Sequence, residues 1–171
     1  MPEAAKIKEN KPKHHAAGPA VWVGLAFWLT VTFSVAWVGS WFQPGEWYAS
    51  LVKPALTPPA WVFGPVWTLL YLMMGIAAWL VWRTQGLTGA LGPLGLFLVQ
   101  LALNALWSYL FFGLKHPGLA FLDIVALWLA ILATLVAFWR AYPAAGLLLL
   151  PYLLWVSFAT YLNFQFWRLN L

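Results

Sequence analysis

Asp123 is the one acidic residue that falls inside a long apolar stretch of this 171-residue chain, and the residues around it are amides and indoles rather than bond-making groups. Gln100, Asn104 and Ser108 recur every fourth residue, with Trp107 and Phe111 beside them. Asp123, Leu127, Ala130 and Thr134 form a second row. Tyr152, Val156, Ala159 and Asn163 form a third, flanked by Trp155 and Leu162, and Trp67, Tyr71, Met74 and Ala78 form a fourth. Residues three or four apart share a helix face, so each row is one polar-aromatic stripe on a greasy helix. None of the three histidines lies in an apolar stretch, and there is no cysteine. That removes a thiol nucleophile, a thiolate metal site and a disulfide framework, and no nucleophile–base pair can be drawn. No catalytic residue and no metal ligand is assigned. The chemistry left is binding: aromatic walls, a few hydrogen-bonding groups and one carboxylate suit a flat apolar ligand.

The elements that carry these stripes are transmembrane helices. The chain is 64% hydrophobic and 8% charged, with mean hydropathy +0.80, whereas a water-soluble domain carries about 25% charged residues. Crossing ~30 Å of hydrocarbon takes roughly 20 helical residues. Five runs are long enough: about Ala20–Phe42, Pro59–Trp82, Pro93–Gly113, Leu119–Trp139 and Ala144–Trp167. The fold class is all-α, an integral membrane bundle of five transmembrane helices in one domain over residues 20–171. Arg83, Lys115, Arg140 and Arg168 stand just outside these runs, where helices meet headgroups. Pro59 and Pro93 suit a first helical turn, where the missing amide proton has no partner to lose. Residues 113–118 and 140–143 are short links that force antiparallel neighbours. Pro151 is expected to kink the fifth run, a defect membrane helices tolerate. Gly86, Gly89, Gly92 and Gly95 point to a flexible second loop.

Residues 1–19 hold Lys6, Lys8, Lys11, Lys13 and the pair His14-His15, with no apolar run. The basic stretch leads straight into a full-length span rather than a short apolar core and cleavage site, so it is expected to be a retained, disordered tail. Two adjacent histidines there make a weak metal site. The tail, loop two and loop four carry six lysines and arginines, against three on the other side. If the membrane is a bacterial cell membrane, which is favoured over the alternatives of a bacterial or mitochondrial outer membrane, the positive-inside rule puts the N-terminus in the cytoplasm. The chain has 14 Trp. Trp41, Trp82, Trp139 and Trp167 read as interfacial belts, but Trp67, Trp107 and Trp155 lie too deep for that.

Depth brings the stripes together. At ~1.5 Å per residue from the side shared by loops one and three, Asn163 and Asp123 lie roughly 6–8 Å down. Trp67 and Asn104 lie roughly 12–14 Å down, and Trp155 lies near ~18 Å. All fall beneath the Trp47–Pro59 loop, which would act as a lid through Trp47 and Leu51. Two readings stand for the buried amides: a ligand site, or interhelical hydrogen bonds worth about 0.6 kcal/mol each. For Asp123 a structural role is open as well, near a helix N-terminus whose dipole favours a carboxylate, facing Lys53, Lys115 or a donor on the fifth helix.

The loop and its flanks carry a resemblance. Trp47-Tyr48, Lys53-Pro54, Pro58-Pro59 and Gly64-Pro65-Val66-Trp67 resemble the signature of the translocator protein family, also called the tryptophan-rich sensory protein or TspO/MBR family. The Trp that many members place two residues after Lys-Pro is Leu56 here. The segment from Gln100 to Asn104 with Phe111-Phe112-Gly113 is similar to the family's third helix, and the segment from Pro151 to Trp155 with Phe158-Ala159-Thr160 and Leu162-Asn163 to its fifth. The resemblance implies a five-helix bundle, commonly a homodimer. It implies porphyrin or haem as the bound ligand rather than a required cofactor, or a sterol-like molecule, with sensing, transport or light-dependent porphyrin degradation as the activity. The two Trp tied to photodegradation in some members correspond to Trp67 and Trp155. A pocket position that varies from Ala to Thr in mammalian members corresponds to Ala159. A cholesterol motif would need Tyr where Phe164 stands, between Leu162 and Arg168, and that departure weakens a sterol reading. The ligand-binding set is therefore Trp47, Leu51, Trp67, Tyr71, Asn104, Trp107, Asp123, Trp155, Ala159, Leu162 and Asn163, with lipid bilayer around it and no nucleic-acid partner. Small faces on helix three (Ala102, Ala105, Ser108) and helix one (Ala36, Gly39, Ser40) are the expected dimer surfaces, with helix three favoured.

Overall fold

A computed structural model describes residues 19–171, and the basic tail with its His14-His15 pair lies outside them. Five helices are long and apolar enough to cross a membrane: Val21–Gly39, Ala60–Gly86, Thr88–Gly113, Pro117–Ala141 and Pro143–Leu169, here spans one to five. A short helix, Glu46–Ser50, lies in the first loop. No strand occurs among the described residues. The protein is an all-α, multi-pass integral membrane protein.

Hydrogen bonds and ring contacts give the order of the spans. Trp79 of span two donates its indole N–H to the Val21 carbonyl of span one at 3.0 Å, and Trp28 of span one meets Phe97 of span three edge-on. Phe97 stacks on Phe138 of span four, and Trp128 of span four donates to Ser157 of span five at 2.8 Å. Trp67 of span two reaches Tyr152 of span five. Around the bundle the order is therefore one, two, five, four, three, with spans two, three and five meeting in the middle.

Glycines set the closest approaches. A Cβ on Gly24 would lie 2.0 Å from the Trp82 ring, and one on Gly75 would lie 2.7 Å from the Leu29 side chain and 3.2 Å from its Cα. Small residues let membrane helices pack backbone to backbone, and here they seat span one on span two. Trp82, expected in an interfacial belt, fills the slot at Gly24. Trp167 stacks on Phe121 and covers Gly118. Both are packing residues, whereas Trp41 and Trp139 stay exposed. Gly39 and Ser108, expected on dimer faces, meet each other inside the chain.

The second loop is also tighter than expected. Spans two and three are joined at Gly86, whose φ of 67° is a left-handed conformation that costs glycine nothing. Span three starts at Thr88, so Gly89, Gly92 and Gly95 are helical and Pro93 sits past the first turn. Pairing of Tyr71 with Asn104 and of Met74 with Gln100 folds the two arms back on each other about this hinge. At its far end span three closes in a π-turn, Tyr109–Gly113. Lys115 then takes φ 55°, in a place where glycine is usual. His116 caps span four by accepting the Leu119 amide on Nδ1 at 3.2 Å.

Candidate functional site

The centre of the bundle is a hydrogen-bonded triad of side chains. Tyr71 of span two donates its hydroxyl to Asn104 Oδ1 at 2.6 Å, and Asn104 Nδ2 donates to the Tyr152 hydroxyl at 3.0 Å. All three residues are buried. Asn104 therefore links spans two, three and five through one amide, using its acceptor and one of its donors. Trp67 lies over Tyr71, with ring centroids 5.5 Å apart, and meets Tyr152 edge-on at 6.2 Å.

Nearer the first loop a second relay ties the other helices. Trp107 donates its indole N–H to Asn163 Oδ1 at 2.8 Å, and Asn163 Nδ2 donates to the Pro117 carbonyl at 2.8 Å. The Trp107 ring stacks on Phe111 at 5.1 Å. Above it Trp47, Tyr48 and Leu51 pack against Phe111, Phe112 and Phe166. The π-turn is what brings Phe111 and Phe112 to that layer, an extra-residue winding often found where a helix serves a site. Burial against these rings pushes the Tyr48 phenol above its usual range, and Lys53 Nζ stands 5.2 Å over the Tyr48 ring.

The loop is held down by a residue without a signal in the sequence. Asn170 Oδ1 accepts the Val52 amide at 2.9 Å, and its Nδ2 donates to the Val52 carbonyl at 3.1 Å and to the Phe166 carbonyl at 2.9 Å. One side-chain amide thus grips both backbone groups of a loop residue, as a neighbouring strand would, and anchors them to the end of span five.

Among the described residues two buried side-chain acceptors have no donor: Gln100 Oε1 and Asp123 Oδ2. Gln100 uses its amide N–H on Met74 Sδ, at 3.8 Å. Asp123 is 7% exposed. The expected partners do not reach it: Lys53 sits on Tyr48, and no donor bonds Oδ2 among the described residues. Lys53 and Lys115 are too close to water, both exposed, to follow a carboxylate into the bundle. Buried acceptors are nearly always paired, so these two oxygens stand out within the bundle.

The predicted site residues thus fall into groups. Trp67, Tyr71 and Asn104 come together around Tyr152, which belongs to the recognised stripe of span five but was not placed in the ligand set. Trp107 and Asn163 meet directly, beneath Trp47 and Leu51. Leu162 is buried and Ala159 packs against the core. Trp155 stands apart from Trp67: its ring contacts are Phe63 and Phe158, both at 5.9 Å, toward the outer face of spans two and five. No group of three or more metal-binding side chains occurs among the described residues.

Comparison with known proteins agrees with this architecture. The model of the TspO/MBR family matches residues 20–168. The tryptophan-rich protein TspO of Chlorobaculum tepidum is 45% identical over 150 residues, covering 85% of this chain and 95% of that protein. The translocator protein of Homo sapiens is 47% identical over 138 residues, covering 78% of this chain and 82% of that one. The tryptophan-rich sensory protein of Cereibacter sphaeroides is 40% identical over 149 residues, covering 87% and 92%. With five apolar spans, the loop-one signature and a match over nearly all of the spanning region, the chain belongs to the TspO/MBR family.

Proposed function

We propose that the protein is a membrane receptor for tetrapyrroles, protoporphyrin or haem, held in the bundle interior between spans two, three and five beneath the first loop. The observation that carries this reading is the convergence of Trp67, Tyr71, Asn104 and Tyr152 under an aromatic lid. A tetrapyrrole supplies a flat apolar body for these rings to lie against. Aromatic faces offset against the macrocycle contribute beyond their buried area. In the closed form Trp107 and Phe111 fill the space under the lid, so entry requires the Trp47–Leu51 segment to lift and those rings to part. Two copies would pair through the outward face of span three, where Gly95 and Ala102 leave a flat exposed surface.

A second reading, light-dependent degradation of the bound porphyrin, is favoured by one feature. Trp67 lies against Tyr71 and Tyr152, so an indole oxidised by an excited porphyrin would have two phenols in contact. Titration of the protein with protoporphyrin in nanodiscs, read by Trp fluorescence in darkness and then under illumination, tests both. Saturable quenching in the dark supports the receptor; unchanged Trp emission at saturating protoporphyrin removes it. Bleaching that needs both light and Trp67 supports the second reading.

A further inference from the structure

Beneath the first loop the bundle offers nothing to a carboxylate. No Lys or Arg is buried among the described residues. Asp123, the one buried charged group, is itself an acid. Further from the loop, Met74, Val81, Phe97 and Phe138 are fully buried and close the far half of the core. Burying an unpaired carboxylate is costly. A ligand that brings carboxylates under the loop must therefore turn them back toward it.

The loop meets them with a cation held in place. Lys53 is exposed, and its Nζ stands 5.2 Å over the Tyr48 ring, within the range of a cation–π contact. Tyr48 packs on Phe112 and Phe166, so the ammonium rests on the roof of the site. The backbone is fixed on both sides of it. Asn170 holds both polar groups of Val52, and the carbonyl of the buried Pro54 accepts the Thr57 amide and hydroxyl.

The other charges on this side of the membrane lie away from that roof. Arg168 stands over the Phe164 ring at 5.7 Å, and Lys115 is exposed in the link between spans three and four. Glu46 begins the short helix. Span two starts at Ala60, so Trp67 lies roughly 10 Å below the loop at ~1.5 Å per residue. A macrocycle resting on Trp67 with its acid edge uppermost bridges that interval.

We propose that Lys53 is a specificity-determining residue of the site: its ammonium pairs with a propionate of the bound tetrapyrrole. The ligand is then taken as a free dicarboxylate, its acid edge at the first loop and its apolar edge against Trp67 and Tyr71. This rests on the receptor reading above. Propionates are ionised at neutral pH, as side-chain carboxylates are. An exposed ion pair contributes little beside the burial of the macrocycle, so Lys53 selects among tetrapyrroles rather than supplying most of the affinity.

The test uses the full chain in phosphatidylcholine nanodiscs, titrated in darkness with protoporphyrin or its dimethyl ester and read by Trp fluorescence. The ester lacks the propionate charges. Its different partition into lipid cancels when each ligand is compared between wild type and variant. Lys53→Gln should weaken protoporphyrin binding about three- to five-fold, within reach of an exposed ion pair, and ester binding far less. Lys53→Arg keeps the charge and should bind protoporphyrin as wild type does. Lys115→Gln removes a cation from the same side of the membrane but away from the roof, and should have the smaller effect. Unchanged protoporphyrin affinity in Lys53→Gln, or equal losses for acid and ester, overturns the role of Lys53 and leaves the receptor reading standing. An equal loss in Lys115→Gln overturns it too, because the general charge of this face would then account for the preference. No quenching by either ligand in wild type removes the receptor reading, and this inference with it.

Discussion

Replacing Asn170 with alanine should release the first loop without disturbing the bundle beneath it. Asn170 makes two hydrogen bonds to Val52 and one to Phe166, at 2.9–3.1 Å. Only the two Val52 bonds fix the loop, because the Phe166 bond stays within the end of span five. Val52 is 58% exposed, so water replaces the lost partner and the buried-orphan penalty does not apply. Each such bond is worth about 0.5–1.5 kcal/mol net. Two of them give about 1–3 kcal/mol, a factor of about 5–150 in the opening equilibrium. The aromatic contacts of Trp47 and Tyr48 remain, so the loop should open more often rather than detach. Hydrogen exchange of the amides in residues 47–57, measured in nanodiscs, should accelerate by that factor, while protection in spans two to five is unchanged. Asn170→Asp keeps an acceptor for the Val52 amide but loses both donations, and should fall in between. Unchanged exchange in Asn170→Ala would mean that the aromatic layer alone closes the loop, refuting the role given to the side-chain amide.

Other consequences follow from the same geometry. Asn104→Leu keeps the volume but leaves the Tyr71 and Tyr152 hydroxyls unpaired. From about 0.6 kcal/mol per interhelical bond in membranes to about 1–3 kcal/mol per buried orphan, it should lower stability by about 1–6 kcal/mol in denaturant titration. Gly75→Leu places a side chain where Leu29 already stands, and thermal unfolding should show loss of the span one–span two contact by several kcal/mol, as overpacking against a neighbouring helix does. Ala159→Phe should weaken protoporphyrin binding with helical content intact; unchanged affinity in a folded variant would put the ligand elsewhere.

The sequence carried the five-helix architecture because hydrocarbon demands uninterrupted apolar runs, and only helices satisfy their own backbone there. It carried the inward stripes for the same reason: Asn104, Asn163 and Tyr152 had to face other helices. What periodicity could not supply was the partner of each group. Asn104 bonding to both Tyr71 and Tyr152 depends on the order of spans around the bundle, which depends in turn on glycine slots such as Gly24 and Gly75. Gly86 was legible as a turn residue but not as the whole turn, because glycine in a membrane helix also serves close packing. The interfacial position of Trp82 and Trp167 suggested belts, yet each covers a glycine that sits far away in sequence. Asn170 had no signal at all: a lone amide after the last span gives no hint that a loop 118 residues earlier returns to it.

If a tetrapyrrole lies among Asn104, Asn163 and their aromatic neighbours, as proposed, the asparagines themselves offer the most direct test. The chain contains only four: Asn10, Asn104, Asn163 and Asn170. Selective ¹⁵N-asparagine labelling in nanodiscs therefore gives four side-chain amide signals, assigned by single substitutions. Addition of protoporphyrin should shift Asn104 and Asn163 strongly through the ring current of the macrocycle and alter Asn170 as the loop adjusts, leaving Asn10 in place. Protoporphyrin bound by its absorbance, with the Asn104 and Asn163 signals unmoved, would contradict the account.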